Sequence, residues 1–390
     1  MRPDDLCPRP GELSRLSTQP HSPAIYPTSV WQCTDPGQAE QLLAGAITGY
    51  VYQRDGHPNA DLLATKCGQL HGAARVVITS SGMAALSAAV LALLRTGDHV
   101  VASRHLYGKS LTLLAGEGAR LGIGCTLADT CNLDDVAAAC TAATRLVVVE
   151  TIANPRLQVA DIAALADLAH RHRALLLVDN TFATPVLCQP LALGADLVLE
   201  SVTKMMNGHS DVMLGMLAGG PQHWERVPAV VSAWGLASAP FECWLAGRGL
   251  STLAVRMERA CATAQRVAEF LAARRDLAGV DYPGLTAHPQ HALARRQLHG
   301  GCGSIVTFHL PGGRAAAEAF LRGSAIPFCP SLGEVSTTLS HPESTSHRGL
   351  TAEARAGLGI HGGTIRLSVG IESADQVLAA VAAGLAAAAA

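Results

Sequence analysis

The sequence predicts an α/β protein in which a large domain on a mostly parallel sheet is followed by a smaller α+β domain. Three observations carry this. Between about Ala73 and Ala218, short apolar and β-branched runs alternate with longer stretches of helical spacing, the pattern of successive βαβ units. From about Met257 the pattern changes to one long amphipathic helix followed by widely spaced strands. A chain of 390 residues also exceeds one ordinary core, so two or three domains are expected.

Residues 1–55, rich in Pro, Ser and Gln with little periodicity, read as an N-terminal arm. In the large domain, residues 56–250, strands are expected at Ala74 to Thr79, His99 to Ser103, Arg145 to Ile152, Ala174 to Val178 and Ala195 to Val202. Between them, Gly82 to Leu94 and Asp161 to His172 carry apolar residues at helical spacing. The C-terminal domain, residues 251–390, continues with a strand at Ser304 to Leu310, a helix near Ala315 to Leu321 and a strand at Thr364 to Val369. The alanine-rich end, Val377 to Ala390, is expected to be a helix that frays into a low-complexity tail, too short and small-sided to span a membrane. No repeat of fixed period occurs.

Composition narrows the function. A net charge of −2 with only 15% charged residues leaves no electrostatic footprint for nucleic acid or an anionic membrane, so a small neutral or zwitterionic partner fits better. The opening MRPDDLCPRPGELSRL has acidic residues and prolines but no apolar core of a signal, so a cytoplasmic protein is expected. Eleven cysteines without a C-x-x-C pair read as reduced thiols. Cys125, Cys131 and Cys140 match no zinc spacing, and burial as small hydrophobes is expected for them; no metal site is expected.

In open α/β sheets ligands sit beyond the carboxyl ends of the strands, so polar residues just after apolar runs come first. Asp179 ends ALLLV-Asp, Lys204 lies just past ADLVLESV, and Glu150 with Asn154 ends RLVVVE. An aspartate that keeps a ring nitrogen protonated and a lysine that condenses with an aldehyde are what a pyridine-aldehyde cofactor needs. Thr79-Ser80-Ser81-Gly82-Met83 marks a step from strand to helix, where backbone N–H groups make an anion site without a basic side chain. Ser201 and Thr203, beside the lysine, add hydroxyls. Each piece alone has a plain structural explanation: a cap, a turn, a solvated lysine. Their combination in order is what points to a site.

That order resembles the trans-sulfuration, or Cys/Met metabolism, family of enzymes dependent on pyridoxal 5′-phosphate (PLP). Val178-Asp179-Asn180-Thr181-Phe182-Ala183-Thr184-Pro185, then Ser201-Val202-Thr203-Lys204 and Gly208-His209-Ser210-Asp211, is similar to the family's cofactor-lysine signature. Pro23 to Ser29 resembles its entry motif, Tyr52 to Pro58 its Tyr-x-Arg-x-x-Asn-Pro element, and Glu150 to Pro155 its Glu-x-x-x-Asn-Pro element. Ser331-Leu332-Gly333 and Arg366 to Gly370 match near the end. The resemblance implies the type I PLP-dependent transferase fold, like aspartate aminotransferase, with the cofactor on Lys204. It further implies Ser81, Gly82, Met83, Ser201 and Thr203 around the phosphate, Tyr107 stacked on the ring, Asn154 at the ring hydroxyl and Asp179 at the ring nitrogen. Tyr52 and Arg54 would reach the phosphate in a neighbouring subunit, making a homo-oligomer, a tetramer built from dimers, with shared sites. Arg366, assisted by Ser331, would clamp the substrate carboxylate with its planar fork. Lys204, Tyr107 and Asp179 would be the catalytic residues.

Several positions depart from the family's pattern. Met205 replaces the usual aromatic, Glu200 stands where a polar neutral residue or His is frequent, and His57 stands for the usual Asn. Val51 and Pro330 occupy places that are acidic in cystathionine-handling members, so the distal ammonium of cystathionine loses its expected partners. Lys109 is either a cation that stabilises a Tyr107 phenolate, a contact for an anionic substrate group, or a solvated surface residue. The expected activity is a carbon–sulfur lyase performing γ-elimination on a sulfur amino acid such as cystathionine, methionine or homocysteine. The alternative is a γ-replacing synthase or O-acylhomoserine sulfhydrylase. A non-catalytic binding or regulatory protein of this fold is a third reading, against which Lys204, Asp179 and Arg366 together argue.

Overall fold

A computed structural model describes Thr18 and residues 20–390. The acidic and proline-bearing opening of the arm lies outside the described residues. What is described of the arm up to Val51 is mostly exposed, and its helix α1 (Pro36–Leu43), capped by the Asp35 side chain, buries no residue. Helix α2 (Pro58–His71) then starts on His57, whose Nδ1 accepts the Ala60 N–H at 3.1 Å. An imidazole thus does the work of an N-cap oxygen.

Seven strands form the large sheet: β1 (Arg75–Thr79), β2 (His99–Ser103), β3 (Gly124–Ala128), β4 (Thr144–Glu150), β5 (Leu175–Asp179), β6 (Leu197–Glu200) and β7 (Gly215–Gly219). They lie in the order β1-β7-β6-β5-β4-β2-β3, with β7 antiparallel to both neighbours and β2 to β6 parallel to one another. Helices α3 (Gly82–Leu93) and α4 (Ile162–Arg171) cover opposite faces, as two separate buried clusters attest. The parallel arrangement points the carboxyl ends of β4, β5 and β6 the same way, so Glu150, Asp179 and Glu200 end adjacent strands.

The C-terminal region follows helices α5 (Pro240–Leu250) and α6 (Leu253–Ala272). Its antiparallel sheet of β8 (Gly279–Asp281), β9 (Ile305–His309), β10 (Thr338–Ser340) and β11 (Thr364–Ser368) is ordered β10-β11-β9-β8 and carries Arg366 on β11. Helices α7 (Gly313–Gly323) and α8 (Ala374–Ala389) complete it.

Four strands escape the sequence pattern. Strand β3 is an edge with mostly exposed side chains, β8 and β10 have three residues each, and β7 (GMLAG) has no β-branched residue although it is wholly buried. Position in the sheet, not propensity, makes β7 a strand. The alanine-rich end also differs from expectation, being helical through Ala389 with no frayed tail. Alanine is the best helix former, and its small side chains let α8 press on α7. A Cβ on Gly384 would lie 2.7 Å from the Phe320 ring. Of the three cysteines expected inside, Cys131 is exposed and Cys125 and Cys140 are half-buried, because β3 and its flanks lie at the sheet edge. Among the described residues no helix is long and apolar enough to cross a membrane.

Candidate active site

A cavity of about 660 Å³ opens at the carboxyl ends of the parallel strands. Its walls include Ser81, Gly82, Met83, Tyr107, Asn154, Asp179, Ser201, Thr203, Lys204, Ser331 and Arg366. Tyr52 and Arg54 do not line it: both are exposed, with the guanidinium 5.0 Å from the Tyr52 ring centroid.

The floor is built from two carboxylates, Glu150 buried and Asp179 half-buried, and the groups that hold them. Asp179 Oδ1 accepts the Thr181 N–H at 3.0 Å and the Thr181 hydroxyl at 2.5 Å, while Thr181 Oγ1 itself accepts the Ser201 N–H at 2.9 Å. One threonine therefore fixes the carboxylate and ties the ends of β5 and β6 together. Glu150 spends Oε1 on the Tyr107 N–H at 2.7 Å and Oε2 on the Asn154 N–H at 3.0 Å. It positions two cavity residues without reaching into the cavity's chemistry. Burial pushes the Glu150 carboxyl up to about 8, with repulsion from Asp179 second, and burial likewise pushes Asp179 up to about 6.

Behind this floor, Glu200 and His71 are completely buried, with His71 Nε2 3.0 Å from Glu200 Oε1. The same oxygen accepts from Asn180 Nδ2 at 3.1 Å, and Asn180 Oδ1 accepts the Thr151 hydroxyl at 2.7 Å. The residue following Asp179 is thus clamped from two sides.

The anion cup is made by close backbone approach. Ser81 caps α3, accepting the Ala84 N–H at 3.0 Å. A Cβ on Gly82 would lie 2.9 Å from Ser201 Cβ, and one on Gly215 would lie 2.2 Å from the Ser81 carbonyl oxygen. Both glycines are needed to bring the helix start, β7 and the Ser201 hydroxyl around one point. The Thr203 hydroxyl is engaged elsewhere, donating to the Leu214 carbonyl at 3.1 Å and accepting the Leu214 N–H at 3.0 Å, which closes the loop after Lys204.

Lys204 Nζ donates to Ser331 Oγ at 2.8 Å, and burial, then the Arg366 charge, lower its pKa. Gly333 holds Ser331 in place: its φ is +86°, and a Cβ there would lie 2.6 Å from the Met205 nitrogen. Arg366 is buried, donating from Nη1 to Asn154 Oδ1 and from Nη2 to the Ser331 carbonyl, each at 2.9 Å. Among the described residues its Nε has no partner. His347 also lines the cavity and is pushed down to about 4 by burial, with Arg366 second.

The sequence reading left Gly215 and Arg256 unnoticed and quoted Thr181 and Gly333 within motifs without giving either a role. Arg256 is buried and donates to the carbonyls of Met205, Met206 and Gly249 at 2.7, 3.0 and 3.0 Å, holding the turn that follows Lys204. One signal was available for it: a charged residue on the stripe Leu253, Arg256, Met257, Ala260, Ala264, otherwise apolar.

The family profile described as Cys/Met metabolism PLP-dependent enzyme matches residues 9–386. The chain belongs to that family. As a Cys/Met metabolism PLP-dependent enzyme, it is 38% identical to an L-methionine gamma-lyase from Porphyromonas gingivalis, over 93% of this chain and 91% of the relative. It is 39% identical to an O-succinylhomoserine sulfhydrylase from Pseudomonas aeruginosa, over 98% and 95%. Among solved structures, a cystathionine gamma synthase from Xanthomonas oryzae in complex with cystathionine aligns with a TM-score of 0.88 at 38% identity, over 94% and 93%. A structure from Campylobacter jejuni containing N′-pyridoxyl-lysine-5′-monophosphate aligns at 0.91 and 26% identity, over 96% and 98%.

The cofactor of this family is PLP, and the cavity suits it. The glycine-made cup offers N–H and hydroxyl donors to a dianion, and the half-buried Asp179 faces the cavity with no basic side chain among the described residues hydrogen-bonded to it, as a protonated ring nitrogen requires.

Proposed function

We propose that this enzyme is a carbon–sulfur lyase that performs γ-elimination on a sulfur amino acid, releasing a 2-oxo acid, ammonia and a thiol. The observation that carries the reading is one cavity holding a half-buried lysine amine of lowered pKa beside a buried arginine whose Nε has no partner among the described residues. When bound, the cofactor supplies an electron sink for the bond broken at Cα.

The remaining work falls to the chain. Lys204 would hold the cofactor through its aldehyde and, as a free amine, would move protons at Cα and Cβ; burial lowers its pKa, the direction that role requires. Arg366 takes the α-carboxylate through Nε and its freed fork, which sets the Cα–H toward Lys204. Asp179, held by Thr181, keeps the ring nitrogen protonated. Tyr107, held at its N–H by Glu150, delivers a proton to the departing γ-group. Ser81, Gly82, Met83 and Ser201 hold the phosphate; Asn154 orients the ring hydroxyl, and Ser331 restrains Lys204 between steps. Tyr52 and Arg54, exposed and outside their own cavity, serve the phosphate of a neighbouring subunit, so the working unit is an oligomer.

γ-Replacement remains the second reading, favoured by the cations at the cavity mouth, Lys109 and Arg348, which suit an anionic γ-substituent. The test is incubation of the PLP-loaded enzyme with methionine, homocysteine, cystathionine and O-acylhomoserines, with and without an added thiol. Formation of 2-oxobutanoate at the same rate with or without thiol supports the lyase. New thioether at the expense of 2-oxobutanoate overturns it in favour of replacement.

A further inference from the structure

Strand pleating sends alternate residues to opposite sides, and the ends of β5 and β6 keep that alternation. Asp179 and Thr181 line the cavity, while Asn180 between them is buried behind it; Leu199 and Ser201 line it, while Glu200 between them is buried behind it. Asn180 Nδ2 donates to Glu200 Oε1 at 3.1 Å, and Nε2 of His71, the last residue of α2, comes within 3.0 Å of the same oxygen. The carboxyl end of a helix favours a protonated imidazole, so a carboxylate and a cation face each other here, both side chains 0% exposed.

Such a pair is poor support for stability by itself. Desolvating two charges costs about as much as their attraction returns, and here the return is incomplete. Among the described residues, neither ring nitrogen of His71 nor Glu200 Oε2 has an aligned hydrogen-bond partner. Buried polar atoms left in this way call for a reason beyond packing. The other titratable groups that the Glu200 charge reaches behind the floor are Cys67 and Cys188, both pushed up by burial first and by Glu200 second. Neutral thiols cannot balance a carboxylate, which leaves that task to His71.

The reason lies in what the pair holds. Asn180 also donates from Nδ2 to the Cys188 carbonyl at 3.0 Å, accepts the Thr151 hydroxyl at 2.7 Å and donates its N–H to the Leu199 carbonyl at 2.8 Å. The Thr151 N–H donates to the Asp179 carbonyl at 3.0 Å. The backbone beneath Asp179 is therefore fixed from the rear through Asn180, while Thr181 fixes the carboxylate from the front. We propose that Glu200 and His71 are positioning residues for Asp179: the buried pair locks Asn180 and so aims the Asp179 carboxylate into the cavity. The proposal rests on the reading that Asp179 partners the ring nitrogen.

The experiment follows hydrogen exchange at Cα of 2-aminobutanoate in D2O by NMR with the PLP-loaded enzyme. This substrate has no γ-leaving group, so the rate is independent of elimination or replacement. A misplacement of about 1 Å can cost about a hundredfold, so Glu200→Ala should lower kcat by about tenfold or more while KM, set at the substrate carboxylate, stays within about twofold. Should the alanine variant not fold, the isosteric Glu200→Gln is read in the same way. The reversed pair, His71→Glu with Glu200→His, again sets a carboxylate against an imidazole and should recover most of the lost rate. In an Asp179→Asn background Glu200→Ala should cost nothing further, because positions acting through one group are not additive. PLP affinity measured by equilibrium dialysis needs no turnover, and Glu200→Ala should lower it only where Asp179 is intact. A lower melting temperature of the cofactor-free variant with unchanged kcat and PLP affinity makes the pair merely structural and overturns the proposal. An equal loss in both backgrounds overturns it too, leaving the role of Asp179 in place. If Asp179→Asn is itself silent, that role falls and the proposal with it.

Discussion

The floor of the cavity and its mouth are built by opposite rules. At the floor, polar groups are buried or half-buried and multiply bonded: Asp179 by Thr181, Glu150 by two backbone N–H groups, Asn180 by Glu200 and Thr151. At the mouth, Tyr107, Lys109 and Arg348 are exposed, with no partner restraining the two cations. Buried polar groups must be satisfied or they cost stability, so a floor of this kind has one geometry. Exposed charges carry no such obligation and are free to vary with the substrate. On the proposed reading the floor serves the cofactor and the mouth specificity, and disturbing each should have a different signature.

The largest effect is expected from Lys204→Ala, which removes the amine hydrogen-bonded to Ser331. Turnover should fall by at least about four orders of magnitude, the upper range for acid–base groups, while circular dichroism stays native. Residual activity within about tenfold of wild type would mean that another group moves the protons. Asp179→Asn comes next, with turnover lower by about two to three orders of magnitude, since one pKa unit at the ring nitrogen corresponds to about 1.4 kcal/mol. Cofactor absorbance should report the loss of ring-nitrogen protonation, and near-normal kinetics would remove Asp179 from the role proposed for it.

Gly215→Ala sharpens the contrast from the side of the cup. A Cβ 2.2 Å from the Ser81 carbonyl must displace the helix start, so PLP affinity measured by equilibrium dialysis should drop by about tenfold or more, at a strain of about 1–3 kcal/mol. Equal affinity would show that the cup tolerates a shifted backbone. A smaller effect concerns pH. Burial, and for Glu150 next the charge of Asp179, raise both folded-state pKa values above their ordinary range. Folding thus favours the protonated carboxyls. That contribution is complete below the ordinary carboxylate range and is lost as pH rises through about 6 for Asp179 and about 8 for Glu150. The melting temperature of cofactor-free protein should fall across that window, and the PLP-loaded protein should fall less, because a ring-nitrogen cation then faces Asp179. Parallel curves for the two forms would break the assignment.

Legibility followed the same division. The local signals for Ser81-Gly82, Asp179, Asn154 and Lys204 lie in strand-to-loop steps, where an apolar run ends in a chemically odd residue, and the cavity brings them together. Thr203 shows the limit of such reading, since its hydroxyl closes a loop on Leu214. Glu150 shows it too: a carboxylate at a strand end has become a clamp for Tyr107 and Asn154, which are far from it in the chain or offset by a turn.

What the sequence by itself determined is the βαβ alternation, the family and the ordered set of polar residues at strand ends, because each depends on neighbours within a few positions or on a motif. Only the tertiary structure decided that β7, without β-branched residues, fills the sheet between β1 and β6, and that the alanine-rich end is helix to Ala389. It also decided that Gly215 and Gly333 permit the close approaches that shape the cup and hold Ser331, and that Arg256 secures the turn after Lys204. These depend on atoms far apart in the chain, such as Gly215 against Ser81, 134 residues away in the numbering. No periodicity or propensity carries that information, because close packing is a property of surfaces that meet only after the chain has folded.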